Sequence, residues 1–90
     1  MKLIFRQHAI QRMFERGISV PEVEHVLLHG RVIEDYPIDM PYPSQLLLGQ
    51  SNGRNLHLVA AVNGEERIIV TVYEPDPALW SADFSRRIRL

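Results

Sequence analysis

At Gly30 the hydrophobic period of this chain changes, and no other feature constrains the fold as much. Before it, apolar side chains recur every three or four residues, the repeat of one helical face. After it they recur every second residue, the repeat of one face of a strand. Helices and strands are therefore segregated along a chain of 90 residues, long enough for one modest core and no second domain. The expectation is an α+β fold over residues 1–90: two N-terminal helices packed on one face of a four-stranded antiparallel sheet, followed by a short C-terminal helix.

The helical part punctuates itself. In "RQHAIQRMFERG" the residues Ala9, Ile10, Met13 and Phe14 share one face, and Gly17 can end the helix in a left-handed cap. In "SVPE", Ser19 and Glu22 have the spacing of a capping box and Pro21 falls in the first turn, where its missing N–H costs nothing. Val20, Val23, Val26 and Leu27 make the second buried stripe and Gly30 stops the helix, so two helices joined by a very short turn lie side by side. His8, Arg12 and Arg16 are spaced by four and advance about 40° each around the first helix, which reads as a wet face. Arg12 and Arg16, flanking the dry arc, can reach toward a sheet edge.

"RVIEDY", "SQLLLGQ", "NLHLVAAV" and "ERIIVTVY" read as strands, with hairpin signals at "SNGR" and "NGEE" and an extended surface loop at "PIDMPYP". Leu56, Leu58, Ala60 and Val62 share one face with Ile68, Val70 and Val72 if the second hairpin loop is the odd-numbered, bulged Asn63-Gly64-Glu65. That register sets His57 opposite Thr71 and Asn55 opposite Tyr73, with Arg67 further along, on an uncovered side of the sheet. Imidazole, phenol and hydroxyl so gathered can move protons near neutral pH and hold an anionic oxygen. After "EPDP", Asp76 and Pro77 are placed to start a short helix carrying Leu79, Trp80 and Phe84 back to the core.

Composition narrows the chemistry. The formal net charge is −1, yet nine of the ten basic residues are arginine, with Arg86, Arg87 and Arg89 clustered at the end. The guanidinium fork suits phosphate or carboxylate. There is no cysteine, hence no disulfide or thiolate zinc site. His25 and His29 stand four apart with Glu22 near but no third ligand in a motif, so no metal or other cofactor is expected. Glu34, Asp35 and Asp39 make an acidic edge without metal spacing, while Tyr36 and Tyr42 bracket the proline-rich loop and suit base stacking or the shielding of a sheet edge. Nucleophile-elbow, Walker and dinucleotide fingerprints are missing from the sequence. No apolar run nears the roughly 18 residues of a membrane span, and "MKLIFRQH" lacks a signal peptide's apolar segment. A cytoplasmic protein is expected.

"HAIQRMFERGIS", "VEHVLLHGRVIEDY", "LHLVAAV", "IVTVYEPDP" and the Trp80-to-Arg87 segment together resemble a family of small bacterial domains of unknown function, over nearly the whole chain. More remotely they resemble RelE/ParE-like toxins and metal-independent ribonucleases of the barnase, colicin and RelE type. The resemblance implies a toxin-like endoribonuclease with RNA, ribosome-bound RNA included, as substrate and an antitoxin protein as partner. It casts His57 as base or acid, Tyr73 or His8 as its counterpart beside Thr71, and Arg12, Arg16 and Arg87 as phosphate clamps. The near-neutral charge supports an alternative, a non-catalytic toxin-fold module acting through a protein partner.

Overall fold

The computed structural model describes residues 1–88; Arg89 of the C-terminal arginine cluster lies outside them. In chain order the elements are β1 (Lys2–Phe5), α1 (Gln7–Arg16), α2 (Val20–His29), β2 (Arg31–Tyr36), β3 (Ser44–Ser51), β4 (Arg54–Asn63) and β5 (Glu66–Tyr73).

Both helices start and stop where the sequence places the signals. Gly17 adopts φ 62° and donates its N–H to the Met13 carbonyl, a left-handed cap that a side chain would strain. Ser19 and Glu22 close the capping box in both directions. Gly30 ends α2 for another reason: its backbone is extended, and a Cβ there would sit 2.5 Å from the Val26 carbonyl oxygen and 2.8 Å from that of Leu48. Arg54, at the start of β4, pins the turn between the helices, donating to the carbonyls of Arg16 and Gly17 and to the Glu22 carboxylate.

The sheet departs from expectation. It has five strands in the order β1-β5-β4-β3-β2, and it is mixed, since β1 runs parallel to β5 while the other neighbours are antiparallel. The four-stranded antiparallel sheet is thereby corrected. Lys2–Phe5 is too short to display a period, and its partner lies far along the chain, so no turn residue announces the pairing. Nor do the described residues include a C-terminal helix. Asp76 does cap, accepting from the Ala78 N–H, but only a single turn follows. The chain then doubles back through a bridge between Trp80 and Arg87, with Ser81, Asp83 and Ser85 bonding locally in competition with helix. Residues 76–88 thus form an irregular strap.

Asn52 and Gly53, both at positive φ, make the two-residue turn between β3 and β4. Between β4 and β5 the loop is also two residues, Gly64 and Glu65, not the bulged three-residue loop expected. The extra residue sits instead within β5, at Val70, where the register shifts between Ala60↔Ile69 and Val59↔Thr71. Below this bulge Ile69, not Ile68 or Val70, faces the core. Above it His57 lies opposite Tyr73 rather than Thr71.

One face of the sheet carries the main core. Ala9, Met13, Val23 and Val26 of the helices pack on Leu47, Leu56, Leu58, Ile69 and Val72, each large aliphatic side chain buried there contributing about 1.5–3 kcal/mol. α1 lies over β5, and α2 over β3 and β4. Ile10 and Phe14, expected in that core, are instead 54% and 89% exposed. Ala9 and Met13 alone suffice to seat so short a helix on one strand.

Candidate functional site

The second face of the sheet bears no helix, and the pleat decides what emerges on it. Strand register brings Glu34 and Tyr36 of β2, His57 and Val59 of β4 and Thr71 and Tyr73 of β5 to this side, opposite the core set. The strap folds over one end of the face, so His57 is not on open surface: its exposure is 0%. The indole of Trp80 meets the imidazole edge-on at 4.4 Å between centroids, and the Arg87 guanidinium lies 4.8 Å above the indole.

Burial fixes the state of this imidazole. Its Nε2 is 2.8 Å from the Phe84 carbonyl oxygen, which can only accept, so Nε2 carries a hydrogen. Its Nδ1 is 3.2 Å from the Tyr73 hydroxyl. Burial holds the His57 pKa below the usual histidine range, as does the charge of Arg87, against the opposing pull of the Phe84 carbonyl and Glu34. The ring is therefore neutral at pH 7, its Nδ1 is bare, and the Tyr73 O–H donates to it. Phe84 holds φ 61°, uncommon for a non-glycine residue, in delivering its carbonyl to this bond.

Two phenols and a carboxylate complete the cluster. Burial raises the Tyr73 pKa, with Arg87 opposing and Glu34 adding to the rise. The Tyr36 hydroxyl donates to the Glu34 carboxylate; burial and that bond push its pKa up to about 12. Both phenols keep their protons at neutral pH. The arrangement amounts to a relay, Tyr73 O–H to His57 to the Phe84 carbonyl, in which the base is held by a third group as in nucleophile–base–orienter constellations. Beside it stand a carboxylate and a guanidinium of opposite charge.

Of the residues picked from sequence, His57, Tyr73, Thr71 and Arg87 belong to this side of the molecule. Thr71 is one pair further along, opposite Val59. His8, Arg12 and Arg16 are not brought to it. They ride on α1, which packs on the other face through Ala9 and Met13, so the sheet separates them from His57. His8 and Arg16 are exposed, and Arg12 pairs with Glu15 at 3.8 Å. Arg67 likewise moves to the helix side, as the Val70 bulge requires. Sequence reasoning missed Glu34 as part of the cluster. The available signal was its spacing of two from Tyr36 within a strand. It also missed the Phe84 carbonyl, which carries no sequence signal.

Two cavities flank the cluster. One of about 490 Å³ lies by the end of α2, between His25, His29, Arg31, Gln50, Asn55 and Asp83. The other, about 110 Å³, opens beside the proline-rich loop. Neither is lined by His57 or Tyr73. The rings of His25 and His29 are 4.8 Å apart, while Glu22 is committed to Ser19 and Arg54. Among the described residues no three His, Cys, Asp or Glu side chains gather as a metal site, and no helix is long and apolar enough to cross a membrane.

No curated protein and no solved structure matches this chain. A family model does match, over residues 5–74, which include β2 with Glu34 and Tyr36, and β4 and β5 with His57 and Tyr73. The chain belongs to that family, described as the domain of unknown function DUF4258.

Proposed function

We propose that the domain is a toxin-like, metal-independent endoribonuclease, acting on RNA in the cytoplasm from the helix-free face of its sheet. The observation that carries this reading is the Tyr73–His57–Phe84 relay set beside Glu34 and Arg87. The ribose 2′-hydroxyl gives its proton to the Tyr73 oxygen as Tyr73 gives its own to His57 Nδ1. The 2′-oxygen then attacks phosphorus and the bond to the 5′-oxygen breaks. Burial disfavours the imidazolium so formed, the Phe84 carbonyl and the Glu34 carboxylate offset part of that cost, and Arg87 offsets charge on the phosphate. Tyr36 protonates the leaving oxygen. Tyr73 then releases the substrate proton to solvent as His57 Nδ1 returns the first proton to it, and solvent reprotonates Tyr36, so the relay is reset. The likeness of the sequence to RelE/ParE-like toxins and barnase-type ribonucleases supports the same reading.

Purified protein and labelled RNA, with and without ribosomes, test it. Because His57 is buried, Tyr73→Phe is the cleaner variant: it keeps the ring and removes the relay's only hydroxyl. Cleavage should fall by about 10²–10⁴-fold, the usual worth of general acid–base catalysis, while the melting temperature stays close to wild type. Equal cleavage by both proteins, or none by either, rejects the reading.

A second reading, a non-catalytic module that binds a protein such as an antitoxin, is favoured by one observation. Ile10 and Phe14 stand exposed on α1 between arginines, an apolar pair unused by the core. Phe14→Glu should abolish such a complex and leave the fold intact, as judged by co-purification with the product of an adjacent reading frame.

A further inference from the structure

The small cavity beside the proline-rich loop has the chemistry of a base-recognition slot. Its floor is apolar, made by Val59 and Ala61 of β4 and Val70 of β5, and the rim carries Arg6, Asp39 and Tyr42. Arg6 follows β1, and its backbone N–H donates to the Ile69 carbonyl. Phe5, next to it, packs against the core, so the alternation of the strand turns Arg6 to the helix-free face. Its guanidinium makes no hydrogen bond or ion pair among the described residues. Asp39 is partly engaged: one carboxylate oxygen accepts from the Ser44 hydroxyl at 2.6 Å, which orients the group and leaves the other oxygen available. Arg6 and Asp39 share the slot without forming an ion pair with each other.

A cation fork, a carboxylate held in place and an aromatic ring around an apolar floor ask for a flat ligand. It must present two acceptors on one edge and donors on the adjoining edge. About 110 Å³ is too little for a drug-sized molecule, which needs roughly 300 Å³ or more. Among the nucleobases, guanine alone offers O6 and N7 as a paired acceptor edge, the most frequent partner of arginine, beside N–H donors that a carboxylate can accept. Adenine places a donor where guanine has O6, facing it toward Arg6. The pyrimidines lack the N7 acceptor.

We infer that the Arg6–Asp39–Tyr42 slot binds a guanine base, Arg6 donating to O6 and N7, Asp39 accepting from the N1 and N2 hydrogens, and Tyr42 lying against the ring. The inference deepens the ribonuclease reading, and rests on it for the source of the base. Val59 lines the slot and pairs with Thr71, one residue pair from His57 and Tyr73, so a guanosine in the slot is a neighbour of the proposed relay. The RNA would then be cut at guanosines.

The same base occurs in free nucleotides and in RNA, and the test separates the two. Guanosine, adenosine, cytidine and uridine 3′-monophosphates are titrated into the intact protein, following the methyl resonances of Val59, Ala61 and Val70. Guanosine monophosphate should bind about ten- to a hundredfold more tightly than the other three, the discrimination a good bidentate contact gives. Arg6→Ala and Asp39→Asn should each remove that preference. Both side chains are exposed, so the variants should keep the wild-type melting temperature. Equal affinity for all four nucleotides, no binding, or a preference that survives both substitutions overturns the inference. Oligoribonucleotides with a single guanosine form the other arm. Cleavage without regard to guanosine keeps the nuclease and removes the slot. Selective binding of guanosine monophosphate without cleavage of any RNA keeps the slot and removes the nuclease.

Discussion

His57 shows how much one buried polar residue decides. With no exposed surface it must find partners inside the protein, and a backbone carbonyl on one side with a phenol on the other fixes a single neutral tautomer. That state has a pH signature. Its folded pKa lies below the value of about 6.5 expected in the unfolded chain, so the unfolded state takes up a proton the folded state refuses. Stability from this site is complete above about pH 6.5 and declines as the pH falls from there toward the folded pKa. Thermal melts between pH 8 and 5 should show the wild type losing melting temperature below about pH 6.5. His57→Gln, though less stable throughout, should show a flatter profile over the same interval; parallel profiles would reject the assignment. Glu22 titrates with the opposite charge. Burial raises its pKa, but the Ser19 N–H and Arg54 outweigh burial and hold it below the usual carboxylate range. Its contribution is present above about pH 4.5 and lost as the pH falls through the folded value. Arg54→Ala leaves that carboxylate buried and two carbonyls of the interhelix turn without their donor. Urea unfolding should register a loss of about 2–4 kcal/mol.

Among the elements, the strap contributes most to the site and was least legible. Trp80 is 3% exposed and touches both His57 and Arg87. Trp80→Ala should cost about 3–5 kcal/mol in urea unfolding, as large aromatic truncations do, and should make His57 accessible to diethyl pyrocarbonate, which wild-type burial prevents. Both helices and the four strands from Arg31 to Tyr73 could be read in the sequence because each carries its own signal: a capping box at Ser19, a left-handed glycine at residue 17, alternation in "NLHLVAAV", Asn-Gly at the first hairpin. β1 carries none, and the strap only the cap at Asp76. Four residues show no period, and past its cap the strap is shaped by a bond across its own bend, Ile88 N–H to the Leu79 carbonyl, and tied to the sheet by one remote in sequence, His57 to the Phe84 carbonyl. The bulge is the instructive intermediate case. Parity called for one extra residue so that Ile68, Val70 and Val72 would join Leu58 and Ala60 on the core face. This holds only above the bulge, where Val72 is in the core and His57 shares the other face with Thr71 and Tyr73, whereas below it Ile69 takes the core position. Turn chemistry placed the residue in the loop, but Gly64 at φ 59° makes a tight two-residue turn, and the surplus moved to Val70.

At the scale of the molecule, the sheet is a partition. It divides the arginines into those it shares with the relay, Arg6 and Arg87, and those it does not, Arg12 and Arg16, although His8, Arg12 and Arg16 form the most visible polar stripe in the sequence. That stripe misleads for a physical reason. Helical spacing shows which residues share a helix face, but not which side of a sheet the helix will cover. The partition makes a kinetic prediction for the proposed ribonuclease. Arg87 bears electrostatically on both His57 and Tyr73. Replacing it with alanine removes charge stabilisation at the reacting phosphate and should lower kcat/KM by about 10²–10³-fold, with kcat carrying most of the loss. Replacing His8, Arg12 and Arg16 together with alanine removes three groups on the far side of the sheet. With a single RNA oligonucleotide at fixed salt, kcat should then stay within about twofold, and KM should rise only through weaker long-range attraction. Such an increase disappears at high ionic strength, where exposed charges are screened beyond a few ångströms. A large fall in kcat for the triple variant, with Arg87→Ala active, would place the chemistry on the helix side and overturn the assignment of the relay.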